Sequence, residues 1–154
     1  MRFWHNQAEF TKKAEKLDGQ SFNLNYQVGD FIYIGSDFPF NHTFFKVLIG
    51  ATTTANIKIE YYSTSWREVV DLQDETLGLS NEGFVEFTPD RDSAWQMKNS
   101  SDISDLTFKA YDKYWSRVSF DAPLEATLDF IGNKFSDDND LYSEFPVFDN
   151  SDYR

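Results

Sequence analysis

Residues 57–61 read Ile-Lys-Ile-Glu-Tyr, with apolar and charged side chains in strict alternation. A period of two is the repeat of a half-buried β-strand, so Ile57, Ile59 and Tyr61 share one face and Lys58 and Glu60 the other. The pattern organises the stretch 56–95. Ser-Thr-Ser breaks the first strand, Trp66 opens a second apolar run through Val69 and Val70, and Gly83 launches a third over residues 84–88, stopped by Pro89. Two strands, a connection and a return strand predict antiparallel sheet. Trp95 closes the unit, and no catalytic pattern falls within it.

The same alternation recurs along the chain. Phe22, Leu24, Tyr26 and Val28 predict one strand, ended by Gly29-Asp30. Residues 31–34 predict a short second strand, and the stretch SDFPFNH a loop. Residues 43–49 are strongly apolar, which predicts a strand central in its sheet. Residues 98–105 are polar and serine-rich, as a surface loop is, and Leu106 to Ala110 resumes the apolar pattern. Tyr114, Val118 and Phe120 then predict inward positions on one strand, and Leu124, Ala126, Leu128 and Phe130 on another. Residues 6–17 form the best helix candidate, with Asn6 as cap and Glu9 three residues on; an extended arm is the alternative.

Roughly eight or nine short strands at near-regular spacing predict a mainly β chain: a single antiparallel β-sandwich of jelly-roll-like type. It has a short N-terminal helix or arm (1–21), a sandwich domain (22–134) and an extended acidic, aromatic tail (135–154). No Gly-rich phosphate loop, strand–helix alternation or internal repeat is present. At 154 residues one domain can bury roughly 70% of its unfolded surface, so neither metal nor disulfide is required. Cysteine is absent, which excludes thiol chemistry and cysteine metal sites.

Charge narrows the partners. The net charge of −12 repels phosphate backbones, so direct nucleic-acid binding is not expected. No run approaches the length of apolar residues that a membrane helix needs, so no membrane partner is expected either. The opening MRFWHNQAEF lacks the apolar stretch of a secretory signal, which predicts synthesis in a cytoplasm. Arg2, Lys12, Lys13 and Lys16 make the start basic, whereas Asp137, Asp138, Asp140, Glu144, Asp149 and Asp152 make the end acidic. Such ends can pair between neighbouring subunits or simply face water.

Candidate chemistry is sparse. His5 and His42 stand far apart, without ligand partners at metal spacing. The run Asp137-Asp138-Asn139-Asp140 lacks the Gly and closing Glu of a calcium loop. Glu60 and Glu86 are expected on the solvent faces of their strands, not across a cleft as a glycosidase requires. No catalytic residue, metal ligand or cofactor is therefore assigned, and the expectation is a protein without enzymatic activity. Aromatics make up 18% of the chain, a bias that suits strands and also interfaces.

The segments FIYIGSDFPFN, IEYYSTSW, DLQDET, GFVEFTP with Trp95 after it, KYWSRVSF and FIGNKFSDDNDLYSEFP occur in this order. Together, over roughly residues 22–148, the chain resembles a family of virion structural proteins of tailed bacteriophages. The resemblance implies a non-enzymatic β-sandwich building block of the virion, made in the host bacterial cytoplasm. Its partners would be copies of itself in a ring or lattice and other virion proteins. The extended, oppositely charged ends favour the neck (the head–tail connection) or the tail over capsid decoration. In that reading Phe3, Trp4, Phe145, Phe148 and Tyr153 are candidate interface anchors, with Lys12, Lys13, Asp137, Asp138 and Asp140 as charge contacts. The alternative is a carbohydrate-binding module used in host recognition, presenting Tyr62, Trp66 and Trp95 to sugar rings. Core packing is the structural alternative for each of these three aromatics.

Overall fold

A computed structural model describes residues 2–5, 8–9, 19–89, 95–99, 103, 112–136 and 141–144. The strands are, in chain order, β1 (Arg2–His5), β2 (Ala8–Glu9), β3 (Phe22–Tyr26), β4 (Ile32–Ser36), β5 (His42–Ile49), β6 (Ile57–Tyr62) and β7 (Trp66–Glu68). They continue with β8 (Val70–Asp74), β9 (Gly83–Thr88), β10 (Met97–Asn99), β11 (Asp112–Phe120), β12 (Leu124–Ser136) and β13 (Leu141–Glu144). Every ladder is antiparallel. The first sheet runs β2-β1-β4-β11-β6-β7, with β10 on β11; the second runs β13-β12-β5-β9-β8, with β3 on β12. The architecture is the mainly β, antiparallel sandwich that the alternation predicts.

The alternating residues meet between the sheets. Ile59 and Tyr61 of β6, Ile32 and Ile34 of β4, and Val118 and Phe120 of β11 face Phe22, Leu24 and Tyr26 of β3, Phe45 of β5, Val85 and Phe87 of β9, and Leu124, Ala126 and Leu128 of β12. Fully burying one such side chain contributes about 1.5–3 kcal/mol relative to leaving it in water. The Tyr26 hydroxyl accepts the Phe120 amide at 2.9 Å and lies 2.9 Å from the Asp30 carbonyl, to which it donates. The carboxylate of Asp30 takes the Gln27 amide at 2.9 Å and sits 3.0 Å from His5 Nε2. One turn thus ties β1, β3 and β11 together, and it is closed by the Asp30 amide donating to the Gln27 carbonyl at 2.9 Å.

Several expectations change. The stretch 56–95 is not one sheet unit: β7 pairs with β6 in the first sheet and β8 with β9 in the second. The switch takes one residue, Val69, which is buried and donates its amide to Ile59 at 3.1 Å. Asp71, at φ 54°, lies in the interrupted register that follows. Phe130, expected inward, faces outward. The β5–β12 register shifts twice between Thr127 and Phe130, so the inward parity passes from Leu128 to Ile131. The helix candidate 6–17 has two described residues, Ala8 and Glu9, and both are strand, paired with His5 and Trp4; its other residues lie outside the described set. The polar stretch 98–105 contributes β10 and a buried Ile103. Residues 106–110 lie outside the described set.

The boundaries of the arm and tail also move. β1 lies inside the first sheet beside β4, and β12 runs on to Ser136. Within the acidic tail, Leu141–Glu144 pairs back onto residues 133–136 of the same chain. These four tail residues therefore dock on this chain's own sandwich.

Candidate functional site

Among the described residues, the outer face of the first sheet gathers the densest set of charged and aromatic side chains. On β11, Lys113, Trp115 and Arg117 have outward parity, and the register sets Arg117 between Glu60 of β6 and Tyr33 of β4. Arg117 donates from Nε to Glu60 Oε1 at 2.9 Å and from Nη2 to Oε2 at 3.1 Å, a two-pronged, charge-assisted pair. Its guanidinium carbon lies 4.2 Å from the Phe31 ring centroid and 4.6 Å from that of Trp66, within cation–π range of both. Trp66 also meets Tyr33 at 6.0 Å and Tyr62 at 5.1 Å, the latter edge-to-face.

Glu60 is consequently 9% exposed, not solvated. Its outward parity is as the sequence predicts, but on this face outward is under a layer of rings. Trp115, also outward, is fully buried: it lies over Gly35, where an added Cβ would stand 2.8 Å from the indole. Its Nε1 donates to Lys98 at 3.0 Å, and Ile103 packs in the same cluster. Trp115 is thus the pivot of a second, smaller core outside the sandwich.

The three aromatics assigned to sugar do not share one surface. Tyr62 and Trp66 are neighbours on this outer face, both half-buried. Trp95 packs against the main core, 4.8 Å from Phe40 and 5.7 Å from Tyr61, and its Nε1 donates to the Trp115 carbonyl at 3.1 Å.

The outer face of the second sheet carries a different arrangement. Register places Lys134, His42 and Glu86 in one row across β12, β5 and β9, and Gly132, Phe44 and Phe84 in the next. Lys46 then stands opposite Phe130 and reaches Glu82 at 2.7 Å. Phe44 meets Phe84 at 5.0 Å and Phe130 at 5.8 Å, and Lys134 Nζ lies 5.1 Å from the Phe84 centroid. His42 sits 3.4 Å from Glu86, with Nδ1 2.6 Å from Asn41 Oδ1. Burial pushes the His42 pKa below the ordinary histidine value; Glu86 opposes that fall and Lys134 adds to it. Glu86 remains 47% exposed, as its parity predicts. None of Phe44, Phe84 or Phe130 stands out in the sequence, because three phenylalanines on three strands share a face only through register.

One end of the sandwich is strained. Leu77, Gly78 and Leu79 all have left-handed backbones, at φ 49°, 71° and 61°. Asp74 holds the turn, accepting the Thr76 and Gly78 amides at 2.8 Å each. Leu79 is fully buried, whereas Leu77 is 68% exposed beside an open cleft of about 300 Å³ lined also by Ala55, Asn56, Ile57 and Leu72. Gly78 adopts such a backbone freely, but the two leucines persist in it only because their surroundings over-determine them.

Phe3 cannot serve as an anchor for a neighbour: it is fully buried in this chain's own core, edge-on to Phe22 at 6.0 Å. The backbone of Trp4 lies in β1, paired with Tyr33. Phe145, Phe148, Tyr153, Lys12, Lys13, Asp137, Asp138 and Asp140 lie outside the described residues. Among the described residues no three His, Asp or Glu side chains gather in a group that could hold a metal ion. No described helix is long and apolar enough to cross a membrane. Comparison with protein-family models, with curated proteins and with solved structures returns no match.

Proposed function

We propose that the protein is a non-enzymatic structural component of a tailed-phage virion, a rigid sandwich that assembles as a multimer through its surfaces and chain ends. Within the particle, the neck or tail is favoured over capsid decoration. The observation that carries the reading is that both outer faces bear half-buried aromatic clusters, Phe31/Tyr62/Trp66 on one sheet and Phe44/Phe84/Phe130 on the other. Aromatic rings and arginine are the residues enriched at interface centres. The ordered resemblance over residues 22–148 and the oppositely charged ends support the same assignment.

The test is mass-spectrometric and immunological detection of this chain in purified particles of the phage whose genome encodes it. Its presence at a fixed ratio to the other particle proteins is expected. Its absence from particles that are otherwise complete overturns the proposal.

A second reading, a carbohydrate-binding module for host recognition, is favoured by the adjacent, half-buried pair Tyr62 and Trp66. A glycan array settles between the two. Saturable binding lost in Trp66→Ala, with no chain found in particles, would replace the assembly reading.

A further inference from the structure

We infer that the cleft between Ile57 of β6 and Leu72 of β8 is the docking site for an extended segment of a partner protein. The segment adds to the edge of β6 and inserts one bulky apolar side chain, with lysine or arginine two residues to either side. The inference holds whether or not the protein enters a virion, because it concerns a surface of the single chain.

Three features define that occupant. The first is backbone. β7 pairs with β6 over Glu60–Tyr62; Val69 then gives its amide to Ile59 at 3.1 Å, and the chain crosses to the second sheet. Ile57 pairs with Phe120 of β11 on one side, and among the described residues no strand pairs with it on the other. Strand alternation turns the Ile57 N–H and C=O the same way as those of Ile59, toward that open side. A segment laid along it gains main-chain hydrogen bonds there, as in strand addition.

The second feature is shape. The cleft holds about 300 Å³, and Ala55, Ile57, Leu72 and Leu77 give it apolar walls. That is the small end of the range for ligand pockets, about 300–1,000 Å³, and suits a side chain better than a cofactor. Leu77 is 68% exposed at φ 49°, so burial within its own chain does not offset its backbone strain. An apolar side chain seated in the cleft buries Leu77 and supplies that offset.

The third feature is charge. Asp74 lines the cleft, and Asp121 is bonded to its Asn56 wall. Amides fix both: Thr76 and Gly78 at 2.8 Å each on Asp74, and Asn56 N and Nδ2 at 2.7 and 2.8 Å on Asp121. The Asn56 groups hold the Asp121 carboxyl below the usual carboxylate range. Such donors position a carboxylate without balancing its charge, and among the described residues neither acid has a lysine or arginine partner. In a chain of net charge −12, this rim repels a second copy and attracts a cationic segment.

The test titrates isotope-labelled full-length protein with the capped peptide Thr-Lys-Thr-Leu-Thr-Lys-Thr, in which both lysines share the leucine's face. Saturable amide shifts centred on Ile57, Leu72 and Leu77 are expected, and binding should weaken as salt rises. Replacing the peptide's leucine by alanine, or both lysines by glutamate, should each weaken binding about ten-fold or more. On the protein, Leu77→Gly should weaken it about ten-fold while melts show the fold intact. Asp121→Asn should weaken it about three-fold, as loss of an exposed ion pair does. An absence of shifts at millimolar peptide overturns the inference. So do shifts centred elsewhere, equal binding of the glutamate peptide, or undiminished binding by Leu77→Gly. Shifts of the same amides on concentrating the protein alone assign the cleft to a second copy and overturn it as well.

Discussion

Arg117 and Glu60 are paired under aromatic rings, with side chains 17% and 11% exposed. A pair so placed contributes little net stability, yet breaking it strands a charge away from water. Arg117→Met alone is expected to cost about 3 kcal/mol, at the low end of the buried-pair range because some water still reaches Arg117. Arg117→Met with Glu60→Leu should recover most of that loss, measured as a double-mutant cycle in urea. His42 gives the second residue-scale expectation. The unfolded chain takes up a proton as pH falls through about 6.5, whereas folded His42 resists it. The unfolded state then binds more protons, so stability is full above that pH and declines below it, until the lowered folded pKa is passed. In His42→Gln that part of the decline should vanish from denaturation midpoints taken on either side of the histidine range. An unchanged slope would assign the pH dependence to other groups.

Among elements, the turn following β8 separates strain from burial. Leu77 and Leu79 both hold left-handed backbones, but only Leu79 is buried. Leu77→Gly should relieve about 1 kcal/mol of strain, partly offset by the greater flexibility of unfolded glycine. Leu79→Gly should instead destabilise by about 2 kcal/mol or more, because the lost burial and the cavity outweigh the same relief. Thermal or urea melts of the two variants check the opposite signs. Strand existence was legible because alternation is local: Phe22/Leu24/Tyr26, Ile57/Ile59/Tyr61 and Leu124/Ala126/Leu128 all face the core. Strand parity beyond residue 128 was not, since a bulge adds a residue to the count without marking the sequence. The sheet switch at Val69 was equally silent, because Trp66-Arg67-Glu68-Val69-Val70 carries no Gly, Pro, Asn or Ser to mark a break.

At the scale of the whole molecule, the sandwich was foreseeable and its outer layers were not. A period of two says which side chains turn away from the core; it does not say whether water or more protein awaits them. Glu60, Trp115 and Ile103 mark that gap. All three were read as exposed or went unremarked, and all are covered by contacts between residues distant in sequence. The stripe on the second sheet escaped notice for the same reason.

The β12–β13 hairpin has a mechanical corollary. A pull applied beyond Glu144 enters the ladder at Asn133 and travels toward Ser136, opening four paired positions one after another. β12 itself is gripped along its other edge by β5, over positions from Thr127 to Lys134. Under tension on this end the hairpin should peel at low force while the double layer stays shut. Optical-trap traces drawn through residue 150 are then expected to show a small, reversible extension well before the main rupture. The molecule would yield at its hem before it tears.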